Sequence, residues 1–334
     1  MDASNIMESD NEQIPLDQLC SQGLVNDVRE RHFAGEDLRE RDLFRACESG
    51  NIDLVKFFFE HPEHEGCKYA KIDVNLLSTG PLTGACKSGN LDLVKYLISI
   101  GAIPGTRKAI VTEEIGGQKV TREKIVPYDN TPVTSAVEHG RLEIFKYLVI
   151  NEKVLLKQDE LFTLLCVSAN NGDVGIMELI SSKVPDIHAN YDQVFIEACM
   201  GGNANMVIAL ISKFNTIAGG DYFAGSSDAK VTLSQGFCDA CRKGRVAVVA
   251  TLLSKGLIHQ HIGIRQIERD ALVAAAGSGV TKLIDVLSQA QFNVVQYGQE
   301  MLASVSSDSQ DMLKYLEGLG ICKSHRTTDE FVGF

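Results

Sequence analysis

Eight times along this chain an apolar residue is followed three positions on by a small residue and four positions later by a turn residue. The apolar column reads Leu43, Leu82, Val133, Leu165, Phe195, Phe237, Leu272 and Met301. The small column reads Ala46, Ala85, Ala136, Ser168, Ala198, Ala240, Ala275 and Ser304. The turn column reads Gly50, Gly89, Gly140, Gly172, Gly202, Gly244 and Gly279, with Asp308 in the last unit. A small side chain lets one helix approach its neighbour closely. Glycine just past a helix end takes positive φ without steric cost and satisfies the last carbonyls, and Asp308 is expected to tolerate the same left-handed conformation. Behind each turn the apolar residues fall at helical spacing, Leu54, Val55, Phe58 and Phe59 in one unit and Leu93, Val94, Leu97 and Ile98 in the next. That spacing predicts one buried stripe per second helix, with Lys56, Lys95, Lys146 and Lys314 facing solvent. Each unit therefore reads as helix, tight turn, helix. Neither helix can bury its face alone, so neighbouring units must stack to make a core. The fold class that follows is all-α.

The pattern resembles the ankyrin repeat. Thr131-Pro132-Val133-Thr134-Ser135-Ala136 and Gly80-Pro81-Leu82-Thr83-Gly84-Ala85 approach that family's T-P-L-H-x-A signature, although neither keeps the His, and Asp73-Val74-Asn75 resembles its inter-repeat hairpin. The units depart from an even period of about 33 residues. The step from Gly89 to Gly140 is long and the step from Gly172 to Gly202 is short. The resemblance spans roughly residues 40–320 and implies an ankyrin-repeat solenoid of stacked helix–turn–helix units, of the degenerate, many-repeat type. It implies a protein-binding task. The Lys-Tyr-Leu-rich style is similar to long ankyrin proteins of intracellular bacteria, amoebae and large viruses, for which the partner would be a host protein.

The expected organisation has three parts: a disordered acidic N-terminus at 1–14, a solenoid of about eight or nine repeats at 15–320, and a flexible tail at 321–334. Leu16 to Phe33, turning at Gly23, reads as an N-terminal cap, because Asp27 and Arg31 stand where other units place apolar residues; Met301 to Leu319 closes the other end.

Two insertions interrupt the repeats, at 102–130 and 214–235. In the first, β-branched segments Lys108–Glu114 and Lys119–Val126 flank Gly116-Gly117, the signature of a β-hairpin in which Glu114 opposes Lys119. Neither face is cleanly apolar, so the hairpin is expected to project. It reads either as a long connection without a partner or as a recognition finger whose contacts are Arg107, Lys108, Glu114, Lys119, Arg122 and Lys124. The second insertion carries Tyr222 and Phe223 in a Gly/Ser-rich stretch, where they either anchor a partner or fold back onto the repeats. Further candidate contacts are the turn-proximal residues of the first helices, Glu48, Lys87, Glu138 and Arg242, together with Asn170 and Met200.

Composition narrows the partner. The formal net charge is −12, from 44 acids and 32 bases. No long Lys/Arg run offers phosphates a basic face, so no nucleic-acid partner is expected. No stretch of about 20 apolar residues is present, so no membrane insertion is expected. Nine cysteines without a secretory signal suggest reduced thiols and a cytoplasmic or nuclear location, or the host cell if the protein is a secreted effector.

Cys20, Cys47, Cys86, Cys199 and Cys241 share one repeat column and read as packing residues. Cys238 and Cys241 form a C-x-x-C, but no further pair at metal-ligand spacing accompanies it. No phosphate-binding loop occurs. The reading is a monomeric, non-catalytic scaffold with no catalytic residue, cofactor or metal, binding a protein partner through a concave face and the finger loops. The competing reading is an enzyme whose site lies in the degenerate half, residues 150–334.

Overall fold

The structure is a computed structural model that describes residues 14–60, 73–75, 80–115, 118–127, 131–183, 191–225 and 227–322. The expectations for residues 1–13, for the Gly116-Gly117 turn and for the tail beyond Cys322 lie outside the described residues. The chain divides into two compact units, 1–157 and 158–334.

The first unit is built of helix pairs. They are α1 (Leu16–Ser21) with α2 (Val25–Phe33), α3 (Glu40–Ser49) with α4 (Ile52–Glu60), and α5 (Gly80–Ser88) with α6 (Leu91–Ser99). Strands β1 (Thr106–Ile115) and β2 (Gln118–Pro127) follow, then α7 (Thr131–Glu138) with α8 (Leu142–Lys146), which ends in a π turn over Tyr147–Asn151. The first helices α1, α3, α5 and α7 pack side by side in chain order. The two strands form an antiparallel pair from Thr106↔Pro127 to Ile115↔Gln118, with Glu114 opposite Lys119.

The second unit repeats the plan, with longer first helices except in the last pair. It comprises α9 (Gln158–Asn171), α10 (Val174–Ser181), α11 (Tyr191–Gly201), α12 (Ala204–Ala218), α13 (Tyr222–Gly225), α14 (Ser227–Arg242), α15 (Val246–Ser254), α16 (Leu257–His261), α17 (Ile264–Gly277), α18 (Thr281–Gln289), α19 (Gly298–Ser304) and α20 (Gln310–Gly318). Here α9, α11, α14, α17 and α19 lie side by side in that order.

The repeat columns do the work their chemistry demands. Every residue of the apolar column is buried, as is every residue of the small column except Ser304, which is half-buried. All seven glycines of the turn column have positive φ. At Gly172 the requirement is double, since a Cβ there would also come within 2.2 Å of the Asn203 amide.

Four details differ from the sequence reading. Asp308 is not left-handed: α19 stops at Ser304, four residues earlier, and a longer turn closed by Ser309 N–H donating to the Ser306 carbonyl removes the need for positive φ. In α4 the residue buried at the end of the stripe is Phe57, while Phe58 and Phe59 are only half-buried. The cause is the neighbouring cap helix: the Phe57 ring lies 5.7 Å from His32 and 6.1 Å from Phe33, with the Arg29 guanidinium 5.3 Å from its centroid.

Most of the 214–235 insertion is helix rather than loose loop: α12 runs to Ala218, α13 spans Tyr222–Gly225 and α14 begins at Ser227. Ala229, Leu233 and Phe237 recur every fourth residue, all buried, so the first helix simply extends toward its N-terminus as α14. Ile321 is buried, with its side chain against Gly298, and the Gln299 amide donates to the Cys322 carbonyl at 2.8 Å, so packed structure continues two residues past the expected start of the tail.

Candidate partner-binding surface

After four of the turn glycines the next residue, Asn51, Asn90, Arg141 or Arg245, ties one repeat to the one before it. Asn90 accepts from the N–H groups of Asp92 and Leu93, capping α6, while its Nδ2 donates to the Gly50 carbonyl at 2.8 Å. Asn51 does the same for α4, accepting from Asp53 and Leu54 and donating to Gly23 at 3.0 Å. Where the residue is arginine it reaches further. Arg141 donates to the Lys87 carbonyl at 3.0 Å and Arg245 to that of Met200 at 2.7 Å. Side-chain capping and the inter-repeat bond together fix the spacing of the first-helix ends. Asn75 plays the equivalent part on the other side, donating to Gly101 and accepting from Ile103 N–H. This column is visible in the sequence as Gly-Asn or Gly-Arg, a signal that a search for apolar periodicity passes over.

The turn-proximal candidates sit on this frame. Glu48 and Lys87, on α3 and α5, are brought together. The Lys87 ammonium donates to Glu48 at 2.7 Å, and Arg45 donates to the same carboxylate at 2.6 Å. Partial burial works to raise the Glu48 pKa, but the bonds from Lys87 and Arg45 outweigh it and hold the carboxyl below its usual range. Glu138 is exposed at the end of α7. In the second unit Arg242 is exposed and ion-paired with Asp239. It borders a groove of about 610 Å³ between α14, α17 and α19, whose walls include Val231, Cys238, Ile267 and Asp270. Asn170 is committed to Glu197, donating to its carboxylate at 3.2 Å, and Met200 is half-buried.

The finger candidates occupy defined register positions: Arg107 opposite Val126, Lys108 opposite Ile125, Val111 opposite Arg122, and Ala109 opposite Lys124. Tyr222 and Phe223 are not free anchors. Phe223 is fully buried, its ring 5.4 Å from Phe195 and 6.2 Å from His261. Tyr222 is half-buried against Phe214 at 5.1 Å, and its hydroxyl donates to Asp192 at 3.0 Å; burial, helped by this bond, pushes the phenol up to about 12. An aromatic pair set in a helix gains more from joining the Phe195–Phe214 cluster than from standing in water.

A second ladder links the outer helices. Lys56 lies 5.6 Å from the centroid of Tyr96, and Lys95 lies 5.8 Å from that of Tyr147, one repeat further on. The Tyr96 hydroxyl donates to Glu60 at 3.0 Å. Thus the interleaved lysines cover the face of the next repeat's tyrosine as well as meeting solvent.

The cysteine column is packing. Cys20, Cys47, Cys86, Cys199 and Cys241 are fully buried, and burial raises every one of these thiols, Cys20 to about 12. Half-buried Cys166 is raised to about 11 and Cys238 to about 12, again mainly by burial. A thiol held protonated at neutral pH is a poor nucleophile. Among the described residues no three His, Cys, Asp or Glu side chains gather in a metal-binding group, and no helix is long and apolar enough to cross a membrane.

Paired helices joined by glycine turns, stacked first helix to first helix, define the class: a repeat protein of helix–turn–helix units. The family can then be named for the segment that carries it. Residues 43–159 match the family model for ankyrin repeats in three copies, and they are ankyrin repeats. Among solved structures the chain is similar to the ankyrin repeat domain of human ASB11, at 18% identity and a TM-score of 0.40, over 67% of this chain and 98% of that one. No curated protein matches the chain.

Proposed function

We propose that this chain is a non-catalytic scaffold that holds a partner protein against its first-helix ends and its β1–β2 finger. Ankyrin repeats are in general protein–protein interaction modules, and a rigid stacked surface limits the ordering cost of binding. One observation carries the reading. Beside apolar and small columns that are buried at every position but Ser304, one position near the turn is left outside the core and changes character from repeat to repeat: Glu48, Lys87, Glu138, Arg242. At Glu48 and Lys87 the varied charge also serves an inter-helix bond, so the recognition reading leans on exposed Glu138 and on Arg242 beside the groove. The resemblance of the repeats to those of intracellular pathogens supports a host-cell protein as the partner.

The test compares partners captured by the intact chain with those captured by two variants. In one, residues 107–126 are replaced by a short Gly-Ser turn; the other carries Glu138→Lys and Arg242→Glu. The main partner is expected to be lost from at least one variant that still folds, as judged by its circular dichroism. A partner set unchanged in both would overturn the assignment.

A further inference from the structure

The β1–β2 ribbon has two strands, and among the described residues each pairs only with the other, so each presents a free edge. A free edge is a template for another strand. In β1 the order of residues is uneven in a specific way. Arg107 and Lys108 stand at its start, Glu113 and Glu114 at its end, and Ala109-Ile110-Val111-Thr112 between them. Read backwards, this sequence places acid where the forward reading has base. β2 lacks the property, because Lys119, Arg122 and Lys124 face a lone Glu123.

The register of the ribbon decides which pairing is available. Ile115↔Gln118 closes a two-residue connection, which makes it a hydrogen-bonded pair and directs the backbone N–H and C=O groups of Arg107, Ala109, Val111 and Glu113 to β2. The backbone groups of Lys108, Ile110, Thr112 and Glu114 are then directed to the free edge. Two outward sets match only if Ile110 meets Ile110 of the second copy or the strand shifts by a whole pleat. Centred on Ile110, the pairing sets Arg107 opposite Glu113 of the second copy, twice by symmetry. Ala109 falls opposite Val111, and Lys108 opposite Thr112 with Glu114 diagonal to it on the same face.

We propose that the free edge of β1 pairs antiparallel with β1 of a second copy of this chain, centred on Ile110. The sequence reading expects a monomer; the charge order of β1 argues for self-association. The area of one strand pair is small, so the dimer is weak and concentration-dependent. The inference does not rest on the partner-binding reading, since self-association and partner capture are measured separately.

Sedimentation velocity on the intact chain, from low-micromolar to near-millimolar concentration, tests it. The expected result is a monomer–dimer equilibrium that weakens with added salt. Arg107→Glu or Glu113→Arg alone raises the dissociation constant on the order of tenfold. An equimolar mixture of the two variants forms a heterodimer as strong as the original, because each unlike pair is again basic against acidic. Ile110→Pro removes one outward N–H while sparing the β1–β2 ladder, and abolishes the dimer with circular dichroism unchanged. A monomer at every concentration would overturn the proposal. So would a dimer indifferent to all three substitutions, or a mixture no stronger than its components.

Discussion

Replacing Phe223 with alanine separates two accounts of the 214–235 segment. If Phe223 were an exposed anchor, its removal would leave stability nearly untouched and cost only binding. In the structure the ring is fully buried and packed 5.4 Å from Phe195, 5.3 Å from Tyr222 and 6.2 Å from His261. Truncating a buried phenylalanine costs about 3–5 kcal/mol in lost transfer energy and residual cavity. Each broken aromatic contact contributes about 0.5–1.5 kcal/mol within or beyond that sum. We therefore expect Phe223→Ala to destabilise the second unit by about 4 kcal/mol, a large share of the roughly 5–15 kcal/mol that holds a typical domain folded. Urea denaturation followed by circular dichroism reads the loss. Amide exchange localises it, with α11 and α14 losing protection while α3 and α5 keep theirs. Val231→Ala, on the same helix as Phe237 but 62% exposed, is the control and should shift stability by no more than about 0.5 kcal/mol. A cost below about 1 kcal/mol for Phe223→Ala, with α14 protection intact, would refute the claim that this aromatic pair belongs to the core.

Asn90→Ala removes both the α6 cap and the bond to the Gly50 carbonyl, and should cost about 1–2 kcal/mol in the first unit, read as a shift in the urea midpoint. Mild iodoacetamide treatment of the native protein, read by mass spectrometry, should label exposed Cys322 well before Cys47, Cys86, Cys199 or Cys241; early labelling of the buried column would contradict its packing role. Glu48 and Asp42 should give opposite pH slopes in urea midpoints across the acid range. The Glu48 carboxyl is held low in the folded state, so its stabilisation is complete above the usual carboxylate value of about 4.3 and fades as pH falls below it; Glu48→Gln should remove that fade. Burial raises Asp42 instead, so its contribution declines as pH rises from about 3.9 through the raised folded value, and Asp42→Asn should remove the decline.

How much of this was legible depends on which physical rule fixes each residue. The apolar, small and glycine columns were, because each is dictated by geometry at one position: Leu82 must fill a core, Ala85 must admit a neighbouring helix, Gly89 must turn with positive φ. Asp308 was misread because the column was extended to it by counting, whereas α19 ends at Ser304 and relaxes the demand. The 214–235 segment was misread because Gly219, Gly220 and Gly225 suggested a loose loop. The recurrence of Ala229, Leu233 and Phe237 at every fourth residue carried the opposite message and prevailed. Phe57 was passed over in favour of Phe59 because a single-helix stripe takes no account of the cap helix, whose His32 and Phe33 supply the apolar neighbours.

The candidate surface was less legible for a reason that lies in the repeat itself. Residues near the turn serve two purposes that share one chemistry. Glu48 and Lys87 are charged and variable, as recognition residues would be, yet they bond each other at 2.7 Å across α3 and α5. Arg141 and Arg245 are basic and lie beside the turns, yet each donates to the carbonyl of a residue one repeat earlier. A partner that engages such groups must compete with bonds already made, so they contribute less to affinity than their charge suggests. Arg242, although paired with Asp239, borders an open groove of the second unit. Charge reversal there is accordingly expected to affect partner capture more than reversal at the Glu48–Lys87 pair, where the first loss is the inter-helix bond itself. The opposite ranking, measured with the same partner, would mean that the paired ends of α3 and α5 open on binding.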